Sequence, residues 1–211
     1  MKKEGFIQAI EDFVKENLVG NDGGHDWWHV DRVRQTSLFI QKMENAGDPV
    51  LTEVAALLHE TGDKKFSGKK TANAFEEIPK LLEINGFNDD EIGKIIFIVK
   101  NISFSNGYSG PVISDEFRIV RDADRLDAMG AVGIARAFSY GGFIGAMLHD
   151  PEGSRESTIK HFYDKLLKLK DMMSTETASK LAVERHRFME KFLKEFYLEW
   201  NLEDITGLAG K

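Results

Sequence analysis

His29, the adjacent pair His59-Glu60 and Asp124 are the residues of this chain whose types could do chemistry together. Brought to one point, they would surround a metal ion with two imidazoles and two carboxylates. Such mixed nitrogen and oxygen ligation suits Mn, Fe, Co, Ni or Zn better than calcium. Magnesium fits less naturally, since it favours all-oxygen shells with several waters. Four protein ligands on an octahedral ion leave two positions, enough for a water and one substrate oxygen, which is what hydrolysis requires. The ion would lower the pKa of water from about 15.7 towards about 7 and polarise the oxygen of the group under attack. The protein must then add an acid or base, and cations for any remaining negative charge.

The surroundings of these residues carry a resemblance. GHDWWHVDRV holds His29, AALLHETGD holds His59-Glu60, and RIVRDADRLDAMGAVGIARAF holds Asp124. All three stretches resemble the HD-domain superfamily of metal-dependent phosphohydrolases, whose pattern is a His, then a His-Asp pair, then a distant Asp. The likeness is nearest to the branch that opens with an HDxxHxxRV stretch, and it extends into the tail, HFYDKLLKLKDMMSTETASKLAVERHRFMEKFL. Matched residue by residue, the resemblance implies metal ligands at His29, His59, Glu60 and Asp124, and hydrolysis of a phosphoester or pyrophosphate bond by a metal-activated water. Glu60 stands where the family carries Asp. The carboxylate is kept with one methylene more, so a changed rotamer or a small helix shift must absorb the extra reach.

Resemblance and spacing together nominate the residues around the ion. Asp63, four residues after His59, is the candidate acid/base, because the matching position in related HD hydrolases often carries a catalytic carboxylate; the alternative is a helix or turn cap. Lys64, Lys65 and Arg125 are candidate phosphate contacts. His25 and Asp26, one turn before His29, would orient ligands or substrate through hydrogen bonds. Arg32, one turn after it, would pair a carboxylate such as Asp122; a purely structural role fits His25, Asp26 and Arg32 equally well. Binuclear members of the superfamily, including those that cut cyclic dinucleotides, add histidines between the His-Asp pair and the last Asp. This chain has none between Glu60 and Asp124, and His149, His161 and His186 all follow. One divalent metal ion is therefore expected, with a nucleoside mono- or triphosphate as the implied substrate. Trp27, Trp28, Phe66, Phe104 and Tyr108 flank the expected mouth and could stack on a base, although in a helical protein with 15 Phe such rings are core more often than not.

Two other readings stay open. His25-Asp26-Trp27-Trp28-His29 is a variant of the HExxH zinc motif of metallopeptidases, in which two imidazoles one helical turn apart bind zinc and a carboxylate between them activates water. Against it, Asp is shorter than the Glu of that motif, and the stretches around His59 and Asp124 would go unexplained. The other reading is a non-catalytic HD-fold protein that binds a nucleotide or a partner, its hydrolytic site weakened by Glu60.

Composition narrows the class. The 211 residues are 42% hydrophobic and 30% charged, the balance of one ordinary globular domain rather than a disordered chain. The absence of cysteine removes disulfides, thiolate metal sites and cysteine nucleophiles. The opening MKKEGFIQAIEDFVKENLV is too interrupted by acids to be a signal peptide, and no apolar run approaches a membrane span, so a cytoplasmic protein without a membrane partner is expected. A net charge of -7 argues against a duplex nucleic acid partner. A small anionic substrate needs only a local cluster, for which Lys64, Lys65, Lys69, Lys70, Arg125 and Arg136 are candidates.

The elements that must position these residues read as helices nearly throughout. Phe6, Ile7, Ile10, Phe13 and Val14 mark an amphipathic first helix ending near Leu18, and Gly20 to Gly24 breaks the chain. A second helix is expected from about Asp26 to about Asn45. Asp48-Pro49 announces a third, which carries His59-Glu60 at its C-terminal end. Further helices follow at about 71–85 and 89–101, the latter opened by an Asn88/Glu91 capping box. A loop from Ser103 to Ser114 precedes a helix that starts at Asp115 and presents Asp122, Asp124 and Asp127. A small-residue helix from Gly130 should end at a Gly141-Gly142 break, and two long helices should fill 155–171 and 175–201. The expectation is an all-α single domain, with a metal-binding core over about 20–140 and C-terminal helices packed on it. The last helix, with Phe188, Phe192, Phe196 and Trp200 in one stripe, could pack on its own domain or on a second copy in a homodimer.

Overall fold

The computed structural model describes residues 2–18, 24–61, 74–102, 110 and 114–206, and among them it contains helices and no strand. In chain order these are α1 (Phe6–Asn17), α2 (Trp27–Glu44), α3 (Pro49–Leu58), α4 (Ala74–Ile84), α5 (Asp89–Asn101), α6 (Asp115–Asp127), α7 (Gly130–Phe143), α8 (Thr158–Asp164), a 3₁₀ helix (Leu166–Met172), α9 (Glu176–Trp200) and α10 (Glu203–Thr206). The expected all-α class is therefore observed.

Local chemistry explains most of the starts. Asp26 caps α2 by accepting from His29 N at 2.9 Å, and Asp48 caps α3 by accepting from Val50 N and Leu51 N, with Pro49 at the first helical position. Asn88 and Glu91 exchange side-chain and backbone bonds at α5, and Ser114 and Thr175 cap α6 and α9. Each such cap is worth about 0.5–2 kcal/mol, enough to fix where a helix begins.

Two apolar clusters share α2 and α3 as their common wall. One gathers Ile10, Val14, Val30, Val54, Leu57, Leu58, Ile78, Leu82 and Ile95 from α1 to α5. The other joins Val33, Ile40, Ala55 and Ala56 to Phe117, Val120, Ala123 and Leu126 of α6, and on to Phe162, Ala182, Met189 and Leu193 near the end of the chain. α3 is buried on almost every side from Leu51 to Leu58, as a helix apolar all round must be. Its end therefore delivers His59 and Glu60 into the interior rather than to the surface.

Two sequence expectations need correcting, and a third is refined. Gly141-Gly142 does not break α7, because Gly141 is where the helix lies against α8; a Cβ there would come within 2.2 Å of Thr158 Oγ1. The expected helix over 155–171 is instead the short α8 and the 3₁₀ helix, parted at Lys165 (φ -136°, ψ -59°), which lets Leu166 and Leu169 point inward at the three-residue period. The stripe on α9 divides: Phe192 and Phe196 pack on the second cluster, whereas Phe188 and Trp200 are 49% and 42% exposed. Most of the Ser103–Ser114 loop, with Gly20, Gly62 and Gly68, lies outside the described residues.

Candidate metal centre

Three helices converge on the site. His29 sits in the first turn of α2, held by the Asp26 cap on its own backbone N–H. His59 closes α3 with a still helical backbone (φ -59°, ψ -32°), and Glu60 follows in the turn that Thr61 N seals on Leu58 O at 3.0 Å. Asp124 lies in the last turn of α6, which packs against both α2 and α3.

One donor atom from each of His29, His59, Glu60 and Asp124 falls within 4.8 Å of all the others. His29 Nε2 stands 3.2 Å from His59 Nε2, 3.2 Å from Glu60 Oε1 and 3.6 Å from Asp124 Oδ1. His59 Nε2 stands 3.6 Å from Glu60 Oε1 and 3.9 Å from Asp124 Oδ1. Ligands about 2.1 Å from a shared ion lie about 3.0 Å apart at right angles, about 3.4 Å apart at tetrahedral angles and about 4.2 Å apart when opposite, so separations between 3.2 and 3.9 Å fall within the range open to ligands of one first-row divalent ion.

The ring protons make the same point. His29 Nδ1 donates to Asp127 Oδ2 at 2.8 Å, and His59 Nδ1 donates to the carbonyl of Ala56 at 2.6 Å. Neither partner can donate in return, so in the neutral rings both Nε2 atoms present lone pairs to each other and to two carboxylates. Four acceptors facing one another call for a positive charge at their centre. The donor set therefore fits a metal ion held by His29, His59, Glu60 and Asp124.

Titration follows from the same arrangement. For His29, burial disfavours the charged ring, but the Asp127 and Glu60 carboxylates outweigh it and raise its pKa. Burial lowers that of His59. Burial pushes Glu60 up, yet hydrogen bonding to His25 and His29 and the nearby imidazoles hold it well below the usual carboxylate range. Asp127 is likewise pushed up by burial and pulled far lower by His29, Arg32 and Arg136.

Other nominated residues divide. His25 Nδ1 lies 3.1 Å from Glu60 Oε1, and Asp26 acts on His29 through the cap. His25 precedes α2 rather than sharing it, so the metallopeptidase motif, which needs both imidazoles on one helix, is not formed. Arg32 does not pair Asp122. It forks onto Asp127 through Nε (2.7 Å) and Nη2 (3.0 Å), because Asp127 faces α2, while Asp122 is turned to the start of α9 and accepts from Ser174 N, Thr175 N and Thr175 Oγ1. Arg125 donates to the carbonyl of Met172, away from the cluster. Asp63, Lys64, Lys65, Lys69 and Lys70 lie outside the described residues, as do Phe66, Phe104 and Tyr108. Trp27 is half-buried beneath Lys15, whose Nζ is 4.2 Å from its ring centre, and Trp28 is 65% exposed. His149, His161 and His186 take no part in the four-residue cluster.

Sequence reasoning did not place Asp127 in the site, and it offered Arg136 only as a candidate contact for an anionic substrate, not as the partner of Asp127. Arg136 donates to Asp127 Oδ2 at 2.9 Å and to the carbonyl of Gly24 at 2.8 Å. The signal available for Asp127 was its spacing: three residues after Asp124 on a helix puts it on the same face.

A helical core gathering two histidines and two carboxylates from three separate stretches is the architecture of the HD superfamily. No family model matches the chain. It is 39% identical to YpgQ of Bacillus subtilis (strain 168) over 210 residues, covering 99% of this chain and 98% of that protein. A crystal structure of Bacillus subtilis YpgQ in complex with ADP superposes with a TM-score of 0.77 at 35% identity, over 92% of this chain and 97% of that one. An HD-superfamily hydrolase from Bacillus thuringiensis does so with a TM-score of 0.74 at 39% identity, over 92% and 96%. The chain belongs to the YpgQ family, within the HD superfamily. Among the described residues, no helix is long and apolar enough to cross a membrane.

Proposed function

We propose that this protein is a metal-dependent phosphohydrolase that cleaves a phosphoester or pyrophosphate bond of a nucleotide at one divalent ion held by His29, His59, Glu60 and Asp124. The observation that carries this reading is the convergence of two lone-pair-bearing Nε2 atoms and two carboxylates, with each imidazole locked from behind by Asp127 or Ala56. When bound, a divalent ion supplies Lewis acidity that polarises a phosphoryl oxygen and makes water a better nucleophile at neutral pH. The chain's own residues do the rest. Asp127 and the Ala56 carbonyl keep the two rings in the tautomer that leaves Nε2 free. Asp63 is the proposed carrier of the proton exchanged with water or leaving group, and Lys64 and Lys65 the proposed counter-charges for phosphate. Arg125 contributes through the turn before α9, which it holds at Met172. A nucleotide substrate is supported by the ADP complex of the similar YpgQ.

Purified protein given Mn, Co, Ni or Mg in turn and a broad nucleotide panel tests the reading. Release of phosphate or pyrophosphate is expected from at least one nucleotide, to be lost on chelation and in Asp124→Ala. Nucleotide binding without either product from any pairing would replace the hydrolase by a binding protein.

A further inference from the structure

The chain departs from the His-Asp pair at Glu60, and the structure shows what meets the longer side chain. Glu60 Oε1 is 3.2 Å from His29 Nε2 on the inner side of the cluster and 3.1 Å from His25 Nδ1 on the outer side. A carboxylate oxygen only accepts, so the His25 contact is a hydrogen bond donated by Nδ1–H. His25 is itself held in place. Its residue sits between Gly24, whose carbonyl accepts from Arg136, and Asp26, whose carboxylate caps α2, and its ring packs edge-on against those of His29 (5.6 Å) and Tyr140 (6.3 Å).

We infer that His25 is a positioning residue for Glu60: its Nδ1–H fixes the carboxylate that the extra methylene would otherwise leave free to swing, and so makes a glutamate serviceable where the pattern has aspartate. The inference rests on the metal centre proposed above. Geometry makes the pairing specific to glutamate. An aspartate at this position ends one carbon–carbon bond, about 1.5 Å, nearer the backbone. An oxygen drawn back by that length stays on the side of the ion or reaches towards His25, but does not meet both. His25 and the residue at position 60 are therefore coupled, and removing the imidazole should matter only while a glutamate is there.

A double-mutant cycle read as Mn2+ affinity by titration calorimetry tests this, with circular dichroism to confirm the fold of each variant. His25→Ala is expected to weaken Mn2+ binding about 10- to 100-fold, the usual effect of losing a partner that orients a metal ligand. His25→Asn, whose amide can replace the Nδ1–H donor, is expected to restore most of that loss. In the Glu60→Asp background, adding His25→Ala should change affinity by about twofold at most, as for uncoupled sites. An equal loss in both backgrounds would overturn the inference, placing His25 on the ion or the fold rather than on Glu60, and so would no loss in the native background. Should Glu60→Asp bind no metal at all, the contrast between His25→Ala and His25→Asn in the native chain decides. Failure of the metal centre itself would be recognised separately, as absence of Mn2+, Co2+ and Ni2+ binding in the unaltered protein.

Discussion

Asp122 and Asp127 lie on the same helix, both carboxylates shielded from water, and the protein treats them in opposite ways. Asp122 receives neutral donors from Ser174 and Thr175; burial, the largest influence, raises its pKa, and those donors together with Arg125 do not offset it. Asp127 is buried too, yet His29, Arg32 and Arg136 hold it far below the carboxylate range. Five residues along a helix turn the side chain through about 140°, so the two occupy different faces of α6. Burial sets the cost of a carboxylate, and the charge of its partners decides the sign of the shift. One face of α6 anchors a helix, and the other gathers charged partners around His29.

The largest test of that contrast is Asp127→Asn. It leaves the largely shielded Arg136 and the partly exposed Arg32 without their shared anion and should cost about 3 kcal/mol in urea unfolding, the low end for a buried pair because Arg32 reaches water, with Mn2+ affinity falling about 10- to 100-fold. A loss near that of an ordinary surface substitution would erase the distinction drawn here. Next is the ion itself. Mn2+ at about 100 times its Kd should add about 2.7 kcal/mol to the unfolding free energy, a gain reversed by EDTA and absent in Asp124→Ala. Asp122→Ala should cost about 2 kcal/mol, since three donors lose their acceptor, while Mn2+ affinity stays within about twofold. A matching fall in affinity would mean that the two faces are not separable.

The smallest effect concerns Glu44, the last residue of α2. The Thr177 hydroxyl and N–H, donating at 2.6 and 2.8 Å, hold its carboxyl below the ordinary value of 4.5 despite some burial. A depressed folded pKa stabilises the protein above the unfolded value, and that contribution fades as pH falls through the folded one. Glu44→Gln should therefore cost about 1 kcal/mol near neutrality, and the gap to the unaltered protein should narrow as the pH falls below the ordinary carboxylate value and through the lowered folded one. A gap that widened in acid would reverse the sign assigned to this carboxyl.

What could be read from the sequence was local. Asp48-Pro49 and the Asn88/Glu91 box announce α3 and α5 because a cap is made within three residues of itself. His29, His59, Glu60 and Asp124 were legible from the stretches around them, and the structure gathers the same four. What escaped depends on contacts distant in sequence. Periodicity puts Asp122 and Asp127 on α6 but does not say which faces Arg32, and only the packing of α2 on α6 settles it. Lys165 interrupts a helix with neither Gly nor Pro to mark the place, because the inward turn of Leu166 and Leu169 outweighs local preference. Gly141 reads as a breaker and is a contact, since the reason for having no side chain there is Thr158 on another helix.

The first turn of α9 is clasped twice, by Asp122 of α6 through Thr175 and by Glu44 of α2 through Thr177. α2 and α6 are the bearers of His29 and Asp124, so their spacing is gauged by a crosspiece that supplies no ligand of its own. A change as mild as Thr175→Val removes one tie of that clasp and should loosen the docking of α9, while the second tie, from Glu44 to Thr177, keeps the span between His29 and Asp124 as it is.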